Sequence, residues 1–448
     1  MDTNDRYYIC IDAGTSRFKS ACITSSGEVV SQSDYRYGSY RNSTHEYSTN
    51  DFENALSRTL EKITSTLDPG RISAVGITGH GPTLIPVAKD GTMLSGGIGY
   101  LDERVNKYIS RLAEKKTDHV TSTMYIPIAS FFKDELPDVY EKTYKFLQSF
   151  DYLAFLLTGC FTASSSSSGI KPWEQHKVEQ AGLDTGKFPG IRYLGSPIGT
   201  VTRHAAQRYR IPESTPLYAI GVDFAASLIG TGAITPGRSC ERAGTSGGLN
   251  LCSDHATSDR RLLSYTHFMP GCWNIAGITS SSGISVEWAK RVFGENCEKE
   301  LTASDAGANP RGRGIIFLPY LRGERTPIWN PYARGVFFGI DDSHTASDMF
   351  EAVLTGVALS IRDIAQIMQE NGLRFTGPVV STGGGSRNRK LVQLKADVVG
   401  KPFCVTGTRD AELTGIACVL AVQDGLYPGL LEATERLVRT TKVFFPDP

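Results

Sequence analysis

Neither sign of charge is in excess in this chain: 47 Lys and Arg stand against 47 Asp and Glu in 448 residues. A broad nucleic-acid or acidic-membrane surface needs a basic excess, so that class of partner is excluded. A small anion pocket lined by backbone N–H groups is not, because it needs few cationic side chains. Long apolar runs are also missing; none approaches the roughly 18 residues of a membrane span. The opening Met-Asp-Thr-Asn-Asp-Arg is polar and acidic, unlike a signal peptide. These features point to a cytoplasmic protein with no membrane partner. Nine cysteines are scattered without a Cys-x-x-Cys pair, and eight histidines do not cluster. That spacing argues against a zinc site and for buried reduced thiols. Common catalytic signatures are absent as well. Gly383-Gly384-Gly385 is not a dinucleotide fingerprint, since position 388 is Asn. No Gly-x-x-x-x-Gly-Lys-Ser/Thr loop occurs, and no Ser-His-Asp or Cys-His set follows from spacing.

What remains is a globular composition, 40% hydrophobic and 21% charged, at a length suited to two or three domains. The β-prone runs Tyr7 to Ile11 and Phe18 to Thr24 flank Asp12-Ala13-Gly14-Thr15-Ser16, which has turn chemistry, so they read as a hairpin. Asp51 to Leu67 has helical spacing, with Phe52, Leu56, Leu60 and Ile63 on one face. Ile72 to Thr78 reads as a strand running into the loop Gly79-His80-Gly81-Pro82, then the strand Leu84 to Val87. Tyr140 to Leu157 carries an apolar helical stripe with Gly159 as its stop. Five serines at 164–168 read as a flexible surface loop. Leu217 to Gly221 reads as a strand, Ala225 to Ile229 as a helix, and Pro236-Gly237 as a domain boundary. Beyond it, Ala243-Gly244-Thr245-Ser246-Gly247 echoes the opening turn about half a chain later. The echo suggests two domains of similar plan, each offering one small-residue loop to a shared cleft. Three glycines at 383–385 follow a strand and precede a helix from about Lys390 to Val399.

Each chemical candidate has a plain structural alternative. The turns at Gly14-Thr15 and Gly244-Thr245 are either ordinary hairpin turns or anion nests, and Asp12 is able to hold a hydrated Mg²⁺. The Gly383–Gly385 stretch is a flexible turn or a backbone platform for a nucleotide. Asp223, at a strand end before a small-residue helix, is a helix N-cap or a general base. Asp102-Glu103-Arg104 is a solvated charged face or part of a site. His80, between two glycines, belongs on a loop rather than in a core.

Taken in chain order, the segments that carry chemistry are specific. They are Asp12-Ala13-Gly14-Thr15-Ser16-x-x-Lys19, Ala74 to Gly81, Tyr100-Leu101-Asp102-Glu103-Arg104, and Gly221-Val222-Asp223 with Gly230-Thr231-Gly232-Ala233. There follow Gly244-Thr245-Ser246-Gly247, Leu318-Pro319-Tyr320-Leu321-x-Gly323-Glu324-Arg325-Thr326-Pro327, and Arg334-Gly335-x-Phe337-x-Gly339. Gly383-Gly384-Gly385-Ser386-x-Asn388 and Ala396-Asp397-Val398-x-Gly400-x-Pro402 close the series. This series resembles the FGGY carbohydrate kinase family over essentially the whole chain.

The resemblance implies an α/β fold of two ribonuclease-H-like, actin-like ATPase domains flanking a catalytic cleft, here residues 1–237 and 238–448. It implies ATP-dependent phosphorylation of a sugar or polyol hydroxyl, with ADP as product and Mg²⁺ as cofactor. Position by position, Asp223 is the general base, and Asp12 organises Mg²⁺ with Asp223 nearby. Gly14, Thr15, Ser16 and Arg17 face the phosphates from the first domain, Gly244 and Thr245 from the second. Gly283 and Glu287 align with a nucleoside-contacting helix start, and Gly384 and Asn388 with the adenine site. His80, Gly81, Asp102 and Asp223 fall where the sugar sits. The nearest branch is xylulokinase, so a ketopentose such as xylulose is the expected acceptor. Ribulose, another ketose, a sugar acid or a sugar alcohol are the alternatives, as is a catalytically degenerate regulator. His80-Gly81-Pro82-Thr83 stands where xylulokinases carry Gln-Met-His-Gly. Glycerol kinases carry an Arg-Glu pair at the positions of Gly81 and Pro82. Members of the family often form homodimers.

Overall fold

The computed structural model describes residues 5–37, 46–48, 50–99, 102–114, 125–294, 314–408 and 410–447. Its contacts divide the chain into unit 1, Met1–Gly230 with Glu412–Leu437, and unit 2, Thr231–Ala411 with Val438–Pro448. The sequence reading cuts the chain once; by contact the chain crosses back, because Glu412–Leu437 packs with unit 1. That return is set by close approach. Gly415 lies against the Ala226 carbonyl, and Gly76 lies against Ile416, so neither position has room for a side chain.

Unit 1 is built on a six-stranded mixed sheet. Its spatial order is Pro197–Thr200, Pro216–Val222, Ile72–Gly79, Tyr7–Ala13, Arg17–Thr24, Val29–Arg36. Pro216–Val222, Ile72–Gly79 and Tyr7–Ala13 run parallel. Tyr7–Ala13 is buried along its whole length, as expected of a strand covered on both faces. Helix Asp51–Thr64 covers the sheet with Phe52, Leu56, Leu60 and Ile63 buried, the stripe its spacing predicts.

Unit 2 repeats the plan. Its seven strands are ordered Leu263–Thr266, Trp273–Thr279, Gly247–Ser253, Ser239–Arg242, Val379–Thr382, Phe403–Thr406, Thr440–Phe444. Ser239–Arg242, Val379–Thr382 and Phe403–Thr406 form the parallel run. In both units the first strand of the plan turns through Gly-Thr-Ser into an antiparallel neighbour. The position two before that glycine differs in charge: Asp12 in unit 1, Arg242 in unit 2. Helix Ala346–Glu370 opens with a capping box between Thr345 and Asp348 and packs Ile361 and Ile364 into the core with Val392 and Phe403. The α/β class with two sheet-containing domains is therefore as the sequence implies. Among the described residues no helix is long and apolar enough to cross a membrane. The eight described cysteines are free thiols, and Cys297 lies outside the described residues.

Two expectations are corrected. The stripe from Tyr140 to Leu157 is not one helix but helix Pro137–Lys142, strand Lys145–Gln148 and helix Ser149–Thr158. Phe146 and Leu147 continue the helical period in sequence, yet their strand pairs with Thr83–Val87, so sheet pairing overrides local pattern. Gly159 does end the last helix, in the left-handed region at φ 71°. The serine run is not a flexible surface loop. Ala163–Ser165 is a strand paired with Ile191–Tyr193, and Ser164, Ser165 and Ser166 are buried. Composition misleads there because a buried carboxylate, Asp151, needs the Ser164 N–H, which donates to Oδ1 at 2.8 Å.

Candidate active site

In unit 1 three parallel strands end side by side. Asp12 is in register with Thr78, and Thr78 with Gly221. The Thr78 hydroxyl donates to the Gly221 carbonyl at 2.7 Å. Asp12, the turn Gly79-His80-Gly81 and Asp223 therefore leave the sheet along one edge, the carboxyl edge, which is where open α/β sheets bind ligands.

Asp12 is buried, and its Oδ2 lies 3.5 Å from Nζ of Lys19, its cross-strand neighbour. After it, Gly14 is held close to the hairpin: a Cβ there would stand 2.8 Å from the Arg17 carbonyl oxygen. The Thr15 carbonyl accepts from the Tyr47 hydroxyl at 3.2 Å. Ser16 and Arg17 are exposed, with Arg17 Nη1 3.4 Å from Asp34. Asp223 is half-buried and is the first residue of helix Asp223–Gly230. A carboxylate in a first turn is favoured by the helix dipole.

His80 lies on a loop, as its flanking glycines imply, but it is buried, which corrects the expectation that it stays out of the core. Its Nδ1 lies 2.6 Å from the Ala13 carbonyl and its Nε2 2.8 Å from the Thr83 hydroxyl. Burial pushes its pKa down to about 4, so the ring is neutral at pH 7. Both ring nitrogens are engaged by the protein, so the imidazole braces the entrance to the Gly14 turn. Asp102 is likewise buried, not part of a solvated face. It accepts from the Arg104 backbone N–H at 3.0 Å and from Nε and Nη2 at 2.8 and 2.7 Å. Tyr100 and Leu101 of the same motif lie outside the described residues.

Sequence reasoning missed a polar group at the same edge. Gln148 Nε2 donates to Asp151 Oδ2 at 2.5 Å. Burial pushes the Asp151 carboxyl up to about 7 despite that bond and the one from Ser164. Tyr125 meets Gly81, and Ser166 meets Gly221. An aromatic residue in an apolar helix and a serine in a serine run carry no signal that distinguishes them from core and loop.

Unit 2 gathers its own candidates. The Gly283 N–H donates to the Gly244 carbonyl at 3.0 Å, and the Ile284 N–H to Thr245 at 3.1 Å. From the other side the Gly385 N–H donates to Ala243 at 2.8 Å. Gly244, Thr245, Gly283 and Gly384 are thus brought together, with Thr245 and Gly384 exposed. Asn388 caps helix Arg389–Val399, accepting from the Leu391 N–H at 3.0 Å. Glu287 is exposed on helix Gly283–Phe293, 3.3 Å from Lys290. Turns with little side-chain bulk, at which Thr245 and Gly384 stay exposed, suit a phosphate-bearing ligand.

Residues 7–230 match the model of the FGGY family of carbohydrate kinases, N-terminal domain, and residues 242–423 that of the C-terminal domain. The chain is 27% identical to the xylulose kinase of Bacillus subtilis (strain 168), covering 98% of this chain and 93% of that one. It is 25% identical to the gluconokinase of the same organism, covering 94% and 87%. Among solved structures, gluconate kinase from Lactobacillus acidophilus superposes with a TM-score of 0.85 at 20% identity, covering 99% and 94%.

Proposed function

The chain belongs to the FGGY family of carbohydrate kinases, and from that premise we propose that it transfers the γ-phosphoryl group of ATP to a hydroxyl of a ketopentose, xylulose first. The observation that carries the reading is the shared carboxyl edge of unit 1, where Asp12, Gly81 and Asp223 emerge from adjacent strands. The choice of sugar rests on the xylulose kinase relative, and a sugar acid is second because of the gluconokinase relative.

Phosphoryl transfer is mostly positioning and electrostatic stabilisation. Asp223 accepts the proton of the attacking hydroxyl as its oxygen bonds to the γ-phosphorus and ADP leaves. A positioned base contributes about 10²–10⁴-fold. The N–H groups of Gly14 to Arg17 in unit 1, and of Gly244 and Thr245 in unit 2, offer donors to phosphate oxygens. Gly283, Glu287, Gly384 and Asn388 take the nucleoside. On the sugar side Gly81 gives the substrate room, and His80 and Asp102 hold the walls. Among the described residues no three His, Cys, Asp or Glu side chains form a metal-binding group. Mg²⁺ does not need one, because it is usually held by one or two carboxylates plus substrate phosphates and waters. Asp12 and Asp223 fit that donor set. When bound, the ion would neutralise phosphate charge. The same reading makes the protein a cytoplasmic enzyme, with a homodimer as the assembly to look for.

The test is ADP release from ATP with a panel of xylulose, ribulose, gluconate and glycerol. Xylulose is expected to give the highest kcat/KM. ATP hydrolysis independent of every sugar would reject the kinase assignment.

A further inference from the structure

Resting on the reading of the Gly244-Thr245 turn and the Gly283 helix start as the nucleotide side, we propose that Glu324 is a positioning residue for ATP, holding that helix start where the turn needs it. Strand Trp273–Thr279 and helix Gly283–Phe293 are joined by three residues, Ser280 to Ser282. The helix has no side-chain N-cap. Its leading N–H groups, orphans in an ordinary helix, go to the turn instead. Ser282 and Ile284 donate to the Thr245 carbonyl at 3.2 and 3.1 Å, and Gly283 donates to the Gly244 carbonyl at 3.0 Å. The shape of the turn therefore depends on where the helix begins.

Glu324 fixes that point. The strand ladder ends at Thr279, opposite Gly247, so the Ser280 N–H needs another acceptor. It donates to Oε1 of Glu324 at 2.6 Å, and the Arg325 N–H donates to the same oxygen at 2.7 Å. Backbone bonds of 2.8 Å in both directions between Glu324 and Asn330 hold the residue that carries the carboxyl. Its neighbours close on the same loop. The Thr326 hydroxyl donates to the Ile278 carbonyl at 3.0 Å, Arg325 Nη2 to the Thr279 carbonyl at 3.1 Å, and the Arg322 N–H to the Ser281 hydroxyl at 3.3 Å. Glu324 is 3% exposed, and its Oε2 is buried with no hydrogen-bond partner among the described residues. A carboxyl with one oxygen unmet in the interior costs stability. Folds keep such a group where a site needs fixed geometry. Burial pushes its pKa up against the pull of the two N–H bonds. Oε1 accepts both bonds whether or not Oε2 carries a proton, so reach rather than charge is what Glu324 supplies. Anchoring a binding turn in this way keeps it preorganised and lowers the cost of binding.

The experiment uses the full chain with Glu324→Gln, which keeps the reach of the acceptor, and Glu324→Asp, which keeps the acid but is one methylene shorter. ATP and ADP affinities are measured by calorimetry without sugar, the KM for ATP and for xylulose by steady-state kinetics, and melting temperature without ligand. Glu324→Asp is expected to weaken binding of both nucleotides at least about tenfold with the KM for xylulose unchanged, as loss of one hydrogen bond worth about 1.4 kcal/mol would give. Glu324→Gln is expected to bind both within about threefold of wild type, because its amide oxygen still accepts the two N–H bonds. Its amide nitrogen takes the unpartnered place of Oε2, so its melting temperature is expected to fall. Nucleotide affinity then follows reach and not stability, which a merely structural side chain would not give. Wild-type affinity in Glu324→Asp, a loss in Glu324→Gln as large as in Glu324→Asp, or equal changes in both KM values would overturn the proposal. Should Glu324→Asp not fold, Glu324→Gln decides: retained affinity despite a lower melting temperature supports the proposal, and a loss of about tenfold overturns it. If wild type binds nucleotide without turning over any sugar, the kinase reading fails, and the calorimetric contrast alone decides the role of Glu324. If wild type binds no nucleotide, both readings fail.

Discussion

Lys395→Met should be among the most damaging single changes in unit 2. Lys395 on helix Arg389–Val399 and Glu241 on strand Ser239–Arg242 form an ion pair with both side chains fully buried. The second Glu241 oxygen accepts from the Ser381 hydroxyl at 2.6 Å. The cluster thus ties together the strand leading into the Gly244 turn, the strand leading into Gly383, and the helix capped by Asn388. Removing one member of a buried pair costs about 3–5 kcal/mol, because the other charge is left without compensation. The surviving Ser381 bond is already made in the native chain, so it adds nothing to offset that cost. Replacing both members by apolar residues removes the stranded charge, and such swaps are often neutral or stabilising. The double variant Glu241→Leu/Lys395→Met is therefore expected to recover most of the loss, short of about 1–3 kcal/mol for the Ser381 hydroxyl left unpaired. Urea unfolding followed by tryptophan fluorescence reads this directly, since Trp273, Trp288 and Trp329 of the four tryptophans lie in unit 2. A single-variant loss below about 1 kcal/mol, the range of an exposed pair, would refute the reasoning.

Two further outcomes follow from the geometry. Gly283→Ala would place a Cβ 2.6 Å from the Gly244 carbonyl oxygen. Overpacking of about 1–3 kcal/mol should raise the KM for ATP about tenfold or more and leave the KM for sugar unchanged in steady-state kinetics; an unaltered KM for ATP would detach Gly283 from the nucleotide. Asp151 is an acid raised from 3.8 to about 7 by burial, so its stabilising contribution is complete below its unfolded pKa and is lost as pH rises through about 7, at about 1.4 kcal/mol per pH unit in that window. Asp151→Asn is expected to gain stability relative to wild type between pH 5 and pH 7 in urea melts, and an unchanged difference across that range would contradict the shift.

Much of this could be read from residue order, and the failures have physical causes. The two Gly-Thr-Ser hairpins were readable because strand alternation, turn residues and a small-residue loop agree at each. Helix Asp51–Thr64 was readable because its stripe meets one face of a sheet. The strand Lys145–Gln148 was not, because four residues between two helices are too few to break a helical period. The return of Glu412–Leu437 to unit 1 has no local signature, since it depends on what Gly76 and Gly415 touch. On the site, motif positions single out candidate residues but not their bonding. His80 and Asp102 are residue types that suit a sugar, yet their burial against Ala13, Thr83 and Arg104 appears only in three dimensions. Tyr125 and Ser166 are the converse, ordinary in sequence but buried with hydroxyls that find no hydrogen-bond partner among the described residues.

The assignment of Asp223 as the base is tested most directly by Asp223→Asn. With xylulose and ATP both saturating, kcat is expected to fall by about 10²–10⁴-fold, while ATP affinity measured by calorimetry stays within a few-fold of wild type. A variant that retains wild-type kcat would contradict the role of Asp223 and the site built around it.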